Sequence, residues 1–351
     1  MLVKILIVLV LIFLILAAVV VIIDRALAAK KYAGEVSDHF DGERFHNIGD
    51  GGILPVIEGR PSVLKWLLTR EKNEWRHKNV ASIIPEERVE GSRVVVTMIN
   101  HASVLIQTEG LNILTDPTWS GRASPFSFIG PKRFQDPGVR FEDLPTIDVV
   151  LVSHNHYDHL NLETLKKLQE KFTPLIITQL GNGTYLADRG IPDAIELDWW
   201  DKHPLKNNMV AVSVPAQHFS ARSISDRNHT LWGGFVLETS LGNIYFAGDT
   251  GYGPFVEKIK EKYPQGFHLG FIPIGAFMPR WFMSQVHTSP DDALLLKDDL
   301  SIKTVIPIHF ETFRLADDKQ DEAEERLREI IQEKNDSSFK ILHNGESITV
   351  K

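Results

Sequence analysis

The chain has 351 residues, 43% hydrophobic and 24% charged, proportions that suit a globular protein and exclude a disordered or fibrous one. That length can bury a full core in one large domain or two smaller ones. A formal net charge of −8 weighs against a general nucleic-acid binder, which needs a positive footprint. The absence of cysteine excludes disulfides and restricts any metal site to His, Asp and Glu ligands.

Residues 5–23 carry no charge and are nearly all Leu, Ile, Val, Ala and Phe. A helix of that length roughly matches a ~30 Å hydrocarbon core. Ala26-Leu27-Ala28 has the small-residue spacing of a signal-peptide cleavage site. Signal h-regions run only ~7–15 residues, so the longer stretch favours a retained single-pass anchor. Lys4 precedes it, whereas Arg25, Lys30 and Lys31 follow, which tilts the body toward the cytoplasm. Residues 1–31 are therefore expected as an anchor with a basic flank, 32–90 as a linker and irregular layer, and 91–351 as one folded domain. Trp66, Leu67 and Leu68 are expected to pack onto that domain.

After Arg93, short β-branched runs bounded by Gly, Pro, Asn and Asp predict strands. They fall at 94–96, 104–106, 112–114, 149–152, 210–214, 235–237, 244–247, 271–274 and 305–308. Between them, residues 162–172 are amphipathic, and Ser289-Pro290-Asp291 opens a short helix through Ala293–Leu296. Ala323, Leu327, Ile330 and Ile331 share one helical face. The acidic run from Asp317 to Glu325 reads as the solvated face of that helix. Two blocks of strands with helices between them predict an α/β fold of two sheets sandwiched by helices.

The strongest chemical signal is Ser153-His154-Asn155-His156-Tyr157-Asp158-His159-Leu160, directly after an apolar strand. Three imidazoles and a carboxylate within six residues make a poor core, because each buried polar group needs a partner. A pair of metal ions satisfies them together. His218, Asp249 and His309 each follow a predicted strand, with Gly248 and Gly251 letting the backbone bend at Asp249. His154, His156 and His218 are expected to hold one metal, Asp158, His159 and His309 the other, with Asp249 bridging. Zinc is the default for such an imidazole-rich hydrolytic site; iron and manganese also suit oxygen ligands without thiolate.

This pattern resembles the metallo-β-lactamase superfamily and, more narrowly, the N-acylphosphatidylethanolamine-hydrolysing phospholipase D family. The similar stretches are Asp116-Pro117, 120–125, 130–134, 153–160, 196–200, 246–252, 272–276 and 279–283, within roughly residues 95 to 348. The resemblance implies an αββα metallo-β-lactamase sandwich behind the N-terminal transmembrane helix, with metals at one edge between the sheets. It also implies hydrolysis of N-acylphosphatidylethanolamine to phosphatidic acid and N-acylethanolamine. A metal-bridging hydroxide would attack phosphorus, with Asp158 and Asp249 orienting it. His287 matches a family histidine and is the candidate phosphate contact or proton donor. The family pattern has glutamine just before it, where this chain has Val286, and Gln285 stands one position away. His101 also matches, with a role behind the ligands or in packing equally open.

Candidate substrate contacts are Gln285, His287, Phe277, Trp281 and Tyr157. Two stretches suit a lipid interface, one with Trp119, Phe126, Phe128 and Ile129 among Arg122, Lys132 and Arg133, the other spanning Phe277, Met278 and Trp281–Met283. The expected partners are a membrane phospholipid and the bilayer, without nucleic acid. Alternatives that keep the residues are a lactonase or nuclease of the same superfamily, or a non-catalytic, membrane-tethered lipid-binding protein.

Overall fold

The computed structural model describes residues 1–49, 63–71 and 73–350. Residues 50–62 and 72, within the expected 32–90 layer, lie outside the described residues.

Helix α1 (Leu2–Leu27) stands clear of the body, with its apolar stretch unburied, and is long and apolar enough to cross a membrane. It is a candidate membrane anchor. Helix α2 (Val63–Thr69) precedes the first sheet. That sheet collects β1 (Val94–Asn100), β2 (Ser103–Thr108), β3 (Leu111–Thr115) and β4 (Val149–Val152). Helix α3 (Leu162–Phe172), β5 (Leu175–Gln179), α4 (Asn182–Ala187) and β6 (Ile195–Leu197) continue it. The second sheet takes β7 (Lys202–Pro204), β8 (Val210–Val214), β9 (Gly234–Glu238) and β10 (Ile244–Phe246). Then come α5 (Phe255–Lys262), β11 (Phe267–Pro273), α6 (Arg280–Met283), α7 (Pro290–Asp299) and β12 (Ile302–Ile308). Helix α8 (Glu322–Lys334) leads to β13 (Ser347–Val350), which returns to the first sheet beside β1.

The sheet orders are β13-β1-β2-β3-β4-β5-β6 and β12-β11-β10-β9-β8-β7. Their facing sides share one core, in which Val96, Ile106, Ile113 and Leu151 meet Phe235, Phe246, Phe271 and Ile306. The outer face of the first sheet is covered by Leu165 and Leu168 of α3 and by Tyr185 and Leu186 of α4. That of the second is covered by α5, α7 and α8 through Ile259, Leu296 and Leu327. This is the expected αββα sandwich. Strands β3 to β6 run parallel, as do β10 to β12, so several strands deliver their carboxyl ends to one edge.

Helix α3 starts where Asn161 accepts from Thr164 N at 2.9 Å, and α7 carries a full capping box between Ser289 and Asp292. In α8, Ala323, Leu327 and Ile330 are buried at the expected spacing. The acidic run departs from expectation. The helix begins only at Glu322, and Asp317 and Asp318 are buried ahead of it. Asp318 accepts from Ala276 N and Met278 N, both at 2.7 Å, and Asp317 accepts from Trp66 Nε1 at 3.0 Å. Loop backbone amides claim the Asp318 carboxylate, and the Trp66 indole and the Arg70 guanidinium claim that of Asp317. Trp66 also stacks on Phe282, whereas Leu68 is 78% exposed and does not pack as expected; the Leu67 side chain lies outside the described residues.

Residues 29–49 lie across the body. Ala29 N donates to Asp226 at 2.7 Å, and Phe40 and Phe45 share a cluster with Trp199 and Trp232.

Candidate metal centre

Every element of the centre ends a strand at the common edge. After β4 the chain turns tightly, with Leu160 N donating to His156 O at 2.8 Å. The turn sends alternate side chains opposite ways. Asn155 ties outward to Thr230 and Ala221, and Tyr157 donates to Arg222 O at 2.8 Å. His154 and His156 face inward. There His156 Nδ1 lies 2.9 Å from His154 Nε2 and 3.2 Å from His218 Nε2. Two ligands held tetrahedrally at zinc distances are about 3.3 Å apart, close to these spacings.

A second group converges beside the first. Asp158 Oδ2 lies 3.3 Å from both His159 Nε2 and His309 Nε2. Asp249 Oδ2 stands between the groups, 3.2 Å from His159 Nε2 and 3.0 Å from His309 Nε2, and 3.9 Å and 3.8 Å from His154 and His218. Gly248 lets β10 turn into Asp249: its φ is +61°, and a Cβ there would meet that of Ser153 at 2.7 Å.

The remaining imidazole nitrogens are pinned from behind. His159 Nδ1 donates to Asp116 Oδ2 at 2.7 Å, His154 Nδ1 meets Ser153 Oγ at 2.9 Å, and His218 Nδ1 donates to Val286 O at 2.8 Å. Such contacts fix which nitrogen faces a metal. Asp116, fully buried, also accepts from Ser153 N and Oγ. Its role is visible in sequence only as an Asp-Pro at a strand end. Asn47 is the other contributor without a motif. It receives His218 N at 3.0 Å and donates to His218 O at 3.1 Å, bracketing that backbone.

The electrostatics call for positive charge between the carboxylates. Burial opposes charge on His309, yet Asp249 and Asp158 lift its pKa to about 9. His159 is also held well above the usual imidazole range, against burial, by Asp249, Asp158 and Asp116. Burial would raise Asp158 and Asp249, but the imidazoles beside them hold both well below the usual carboxylate range. On the other side, burial pushes His156 and His218 down to about 3, leaving neutral imidazoles with free lone pairs. His159 Nε2, His309 Nε2 and Asp249 Oδ1 are buried without a hydrogen-bond partner. Unpartnered donor atoms, neutral imidazoles on one side and a carboxylate pair on the other fit divalent cations.

His287 joins the rim, its Nδ1 3.8 Å from Asp249 Oδ2 and its ring 5.2 Å from that of His218. Burial lowers its pKa to about 3. His101 lies behind the second group, its Nε2 3.0 Å from Asp158 Oδ2. Gln285 is half-buried one residue before Val286. Trp281 is exposed, beneath the Lys65 ammonium, whereas Phe277 is buried in the core under the second sheet. Tyr157 lines a cavity with Arg122 and Arg222. The first stretch expected at a lipid interface divides: Phe128 and Ile129 are exposed, but Trp119 packs edge-on against Phe141 and donates to Val139 O.

The description "Beta-lactamase superfamily domain" belongs to the family model that matches residues 111–310. N-acyl-phosphatidylethanolamine-hydrolyzing phospholipase D 1 of Caenorhabditis elegans is 35% identical over 269 residues, 73% of this chain and 75% of that protein. The mitochondrial N-acyl-phosphatidylethanolamine-hydrolyzing phospholipase D of Saccharomyces cerevisiae is 35% identical over 249 residues, 69% of this chain and 53% of that protein, about half its length. Among solved structures, an isothiocyanate hydrolase from Delia radicum gut bacteria superposes with a TM-score of 0.59 at 19% identity, covering 72% of this chain and 98% of that one. Igni18, a metallo hydrolase from Ignicoccus hospitalis, gives 0.56 at 19% identity, covering 74% and 99%. At such identities the structures speak for the fold alone. The chain is a metal-dependent hydrolase that belongs to the beta-lactamase superfamily and, within it, to the N-acylphosphatidylethanolamine-hydrolysing phospholipase D family.

Proposed function

We propose that the chain hydrolyses the phosphodiester of N-acylphosphatidylethanolamine-like phospholipids, releasing N-acylethanolamine and leaving phosphatidic acid. The convergence of two donor groups on Asp249 supports a dinuclear centre, and the named worm and yeast relatives support the lipid. His154, His156 and His218 would hold one divalent ion, Asp158, His159 and His309 the other, with Asp249 shared. Zinc is favoured, with iron or manganese as alternatives. When bound, such ions act as Lewis acids on a phosphoryl oxygen and lower the pKa of water.

The chain's own residues supply orientation. Asp158 Oδ2 and Asp249 Oδ2 face the same His159 and His309 nitrogens, so both carboxylates can accept hydrogen bonds from a water aligned for in-line attack. Asp116, Ser153 and Val286 O keep three imidazoles from rotating. Burial lowers the His287 pKa to about 3, and cations nearby would lower it further. A neutral ring favours contact with a phosphate oxygen through N–H over proton donation.

Helix α1 would hold the body at a membrane, and its flanking charge favours the cytoplasmic side; protection of the body from external protease in intact cells tests this. The activity test incubates metal-loaded full chain with N-acylphosphatidylethanolamine, RNA and a lactone in parallel. N-acylethanolamine release supports the reading. Ribonucleotide release or lactone opening without it overturns the reading.

A further inference from the structure

Apart from the metal centre, the described residues form a cavity of about 690 Å³ where α1 meets the body. Four cations line it: Arg122, Lys132, Arg189 and Arg222. Among the described residues, none of them pairs with a carboxylate. Arg122 donates to Ser127 O at 3.0 Å and Gly130 O at 2.6 Å. Buried Arg222 donates to Asn155 O, Leu160 O and Tyr185 Oη, and the Lys132 ammonium lies over Phe134. The acidic residue on the wall, Glu163, is paired with Lys167 at 2.7 Å. Carbonyl oxygens and rings satisfy donor geometry but cancel no charge. In a chain of net charge −8, four cations without a carboxylate ion pair around one space mark a site for an anion.

The anchor fixes the height of that space. Arg189 Nη2 donates to Ala26 O, Leu27 O and Ala28 O at 3.1, 3.2 and 3.5 Å, closing the carboxyl end of α1 with a cation. Asp24 Oδ1 accepts from Ile224 N at 2.8 Å and Ser225 N at 3.2 Å. The helix is thus clamped from both sides, and Leu27 itself lines the cavity. The apolar stretch ends at Asp24 and Arg25, so the cavity lies at headgroup level. Exposed apolar side chains stand next in sequence to its lining: Phe128 (77% exposed) and Ile129 (58%) follow Ser127, and Ile224 (85%) lies two residues after Arg222, as suits side chains entering the interface.

We infer that this cavity holds the phosphate headgroup of an anionic phospholipid from the leaflet the anchor enters, at a site separate from the reactive centre. The inference rests on the reading of α1 as a membrane anchor, not on the substrate. Arg and Lys forks suit phosphate oxygens, and the apolar wall from Leu27, Phe126 and Leu162 suits the lipid backbone beneath.

The test counts lipids on the full chain by native mass spectrometry from neutral detergent, with phosphatidylglycerol, phosphatidylcholine or inorganic phosphate added. One phosphatidylglycerol is expected to bind at least about ten-fold tighter than phosphatidylcholine, a factor worth ~1.4 kcal/mol. Ser127→Glu, which adds an anion at an exposed position on the wall, and Lys132→Gln should each abolish most of that preference. Remote Lys258→Gln should not. Melting by circular dichroism verifies that Ser127→Glu folds, and Lys132→Gln reads the site independently. His156→Ala should keep the bound phosphatidylglycerol; its loss there would merge this site with the reactive centre and overturn the inference. Equal retention of both lipids, an undiminished preference in the two wall variants, or displacement by equimolar inorganic phosphate would also overturn it. Failure to cleave N-acylphosphatidylethanolamine would sink the proposed substrate and leave the lipid count unaffected.

Discussion

His159 Nδ1 donates to Asp116 Oδ2 at 2.7 Å in a wholly buried pair, so the carboxylate behind the imidazole determines that Nε2 faces the centre. Asp116→Asn keeps the shape and removes the charge. Metal affinity should fall ~10–100-fold, the usual effect of removing a group that orients a ligand. Competition with a chelating dye measures it. Affinity within two-fold of the parent chain would show that Asp116 only packs.

Asn47 reaches the centre from the segment before the sheets, exchanging two hydrogen bonds with the His218 backbone and accepting Trp232 Nε1 at 3.0 Å. Asn47→Ala strands buried donors and acceptors, each costing ~1–3 kcal/mol. A lower midpoint in thermal unfolding is expected, with weaker metal retention at the His154, His156 and His218 group. An unchanged midpoint would mean that water replaces the side chain without cost.

Much of the centre was legible because its chemistry is local. His154, His156, Asp158 and His159 fall within six residues, and His218, Asp249 and His309 each close an apolar run. The strand ends at β8, β10 and β12 turn that list into geometry: β10 and β12 run parallel through β11, and β8, two antiparallel steps from β10, ends on the same side. Asn47 lies 171 residues from His218 and has no motif, so only the folded chain joins them. Strands β6 and β7 have three residues each, too short to show a period, whereas the Leu175-Ile176-Ile177 run of β5 is a strand signal of the same kind as the predicted ones and was legible. Asp317 and Asp318 read as solvated charge because composition cannot reveal that loop amides and Trp66 would bury them.

His39 should make stability depend on pH. Burial opposes its charge, yet hydrogen bonds to Asp198 at 2.7 Å and Asp38 at 2.6 Å outweigh it and raise its pKa above the ordinary imidazole value. A raised folded pKa adds stability that is complete below the unfolded pKa of ~6.5 and is lost as pH rises through the folded value. The melting temperature should therefore fall more steeply above that point in the parent chain than in His39→Gln. Parallel curves would contradict a charged His39.

At His287, burial favours the neutral ring. His287→Ala should lower kcat/KM by ~10–150-fold, the range for a lost hydrogen bond to a charged group of ~1.5–3 kcal/mol. His287→Gln, which keeps a donor, should recover part of the loss with an unchanged pH profile. Disappearance of an alkaline limb in either variant would instead identify His287 as a proton donor.

The most direct measurement is the number of transition-metal ions per purified full chain, by elemental analysis, alongside hydrolysis of N-acylphosphatidylethanolamine. Two ions per chain are expected. In Asp249→Ala, whose carboxylate both donor groups face, fewer should remain and hydrolysis should drop more than ~100-fold, beyond the effect of a merely supporting residue. An active chain without metal, or Asp249→Ala with full metal and full activity, would contradict a dinuclear centre.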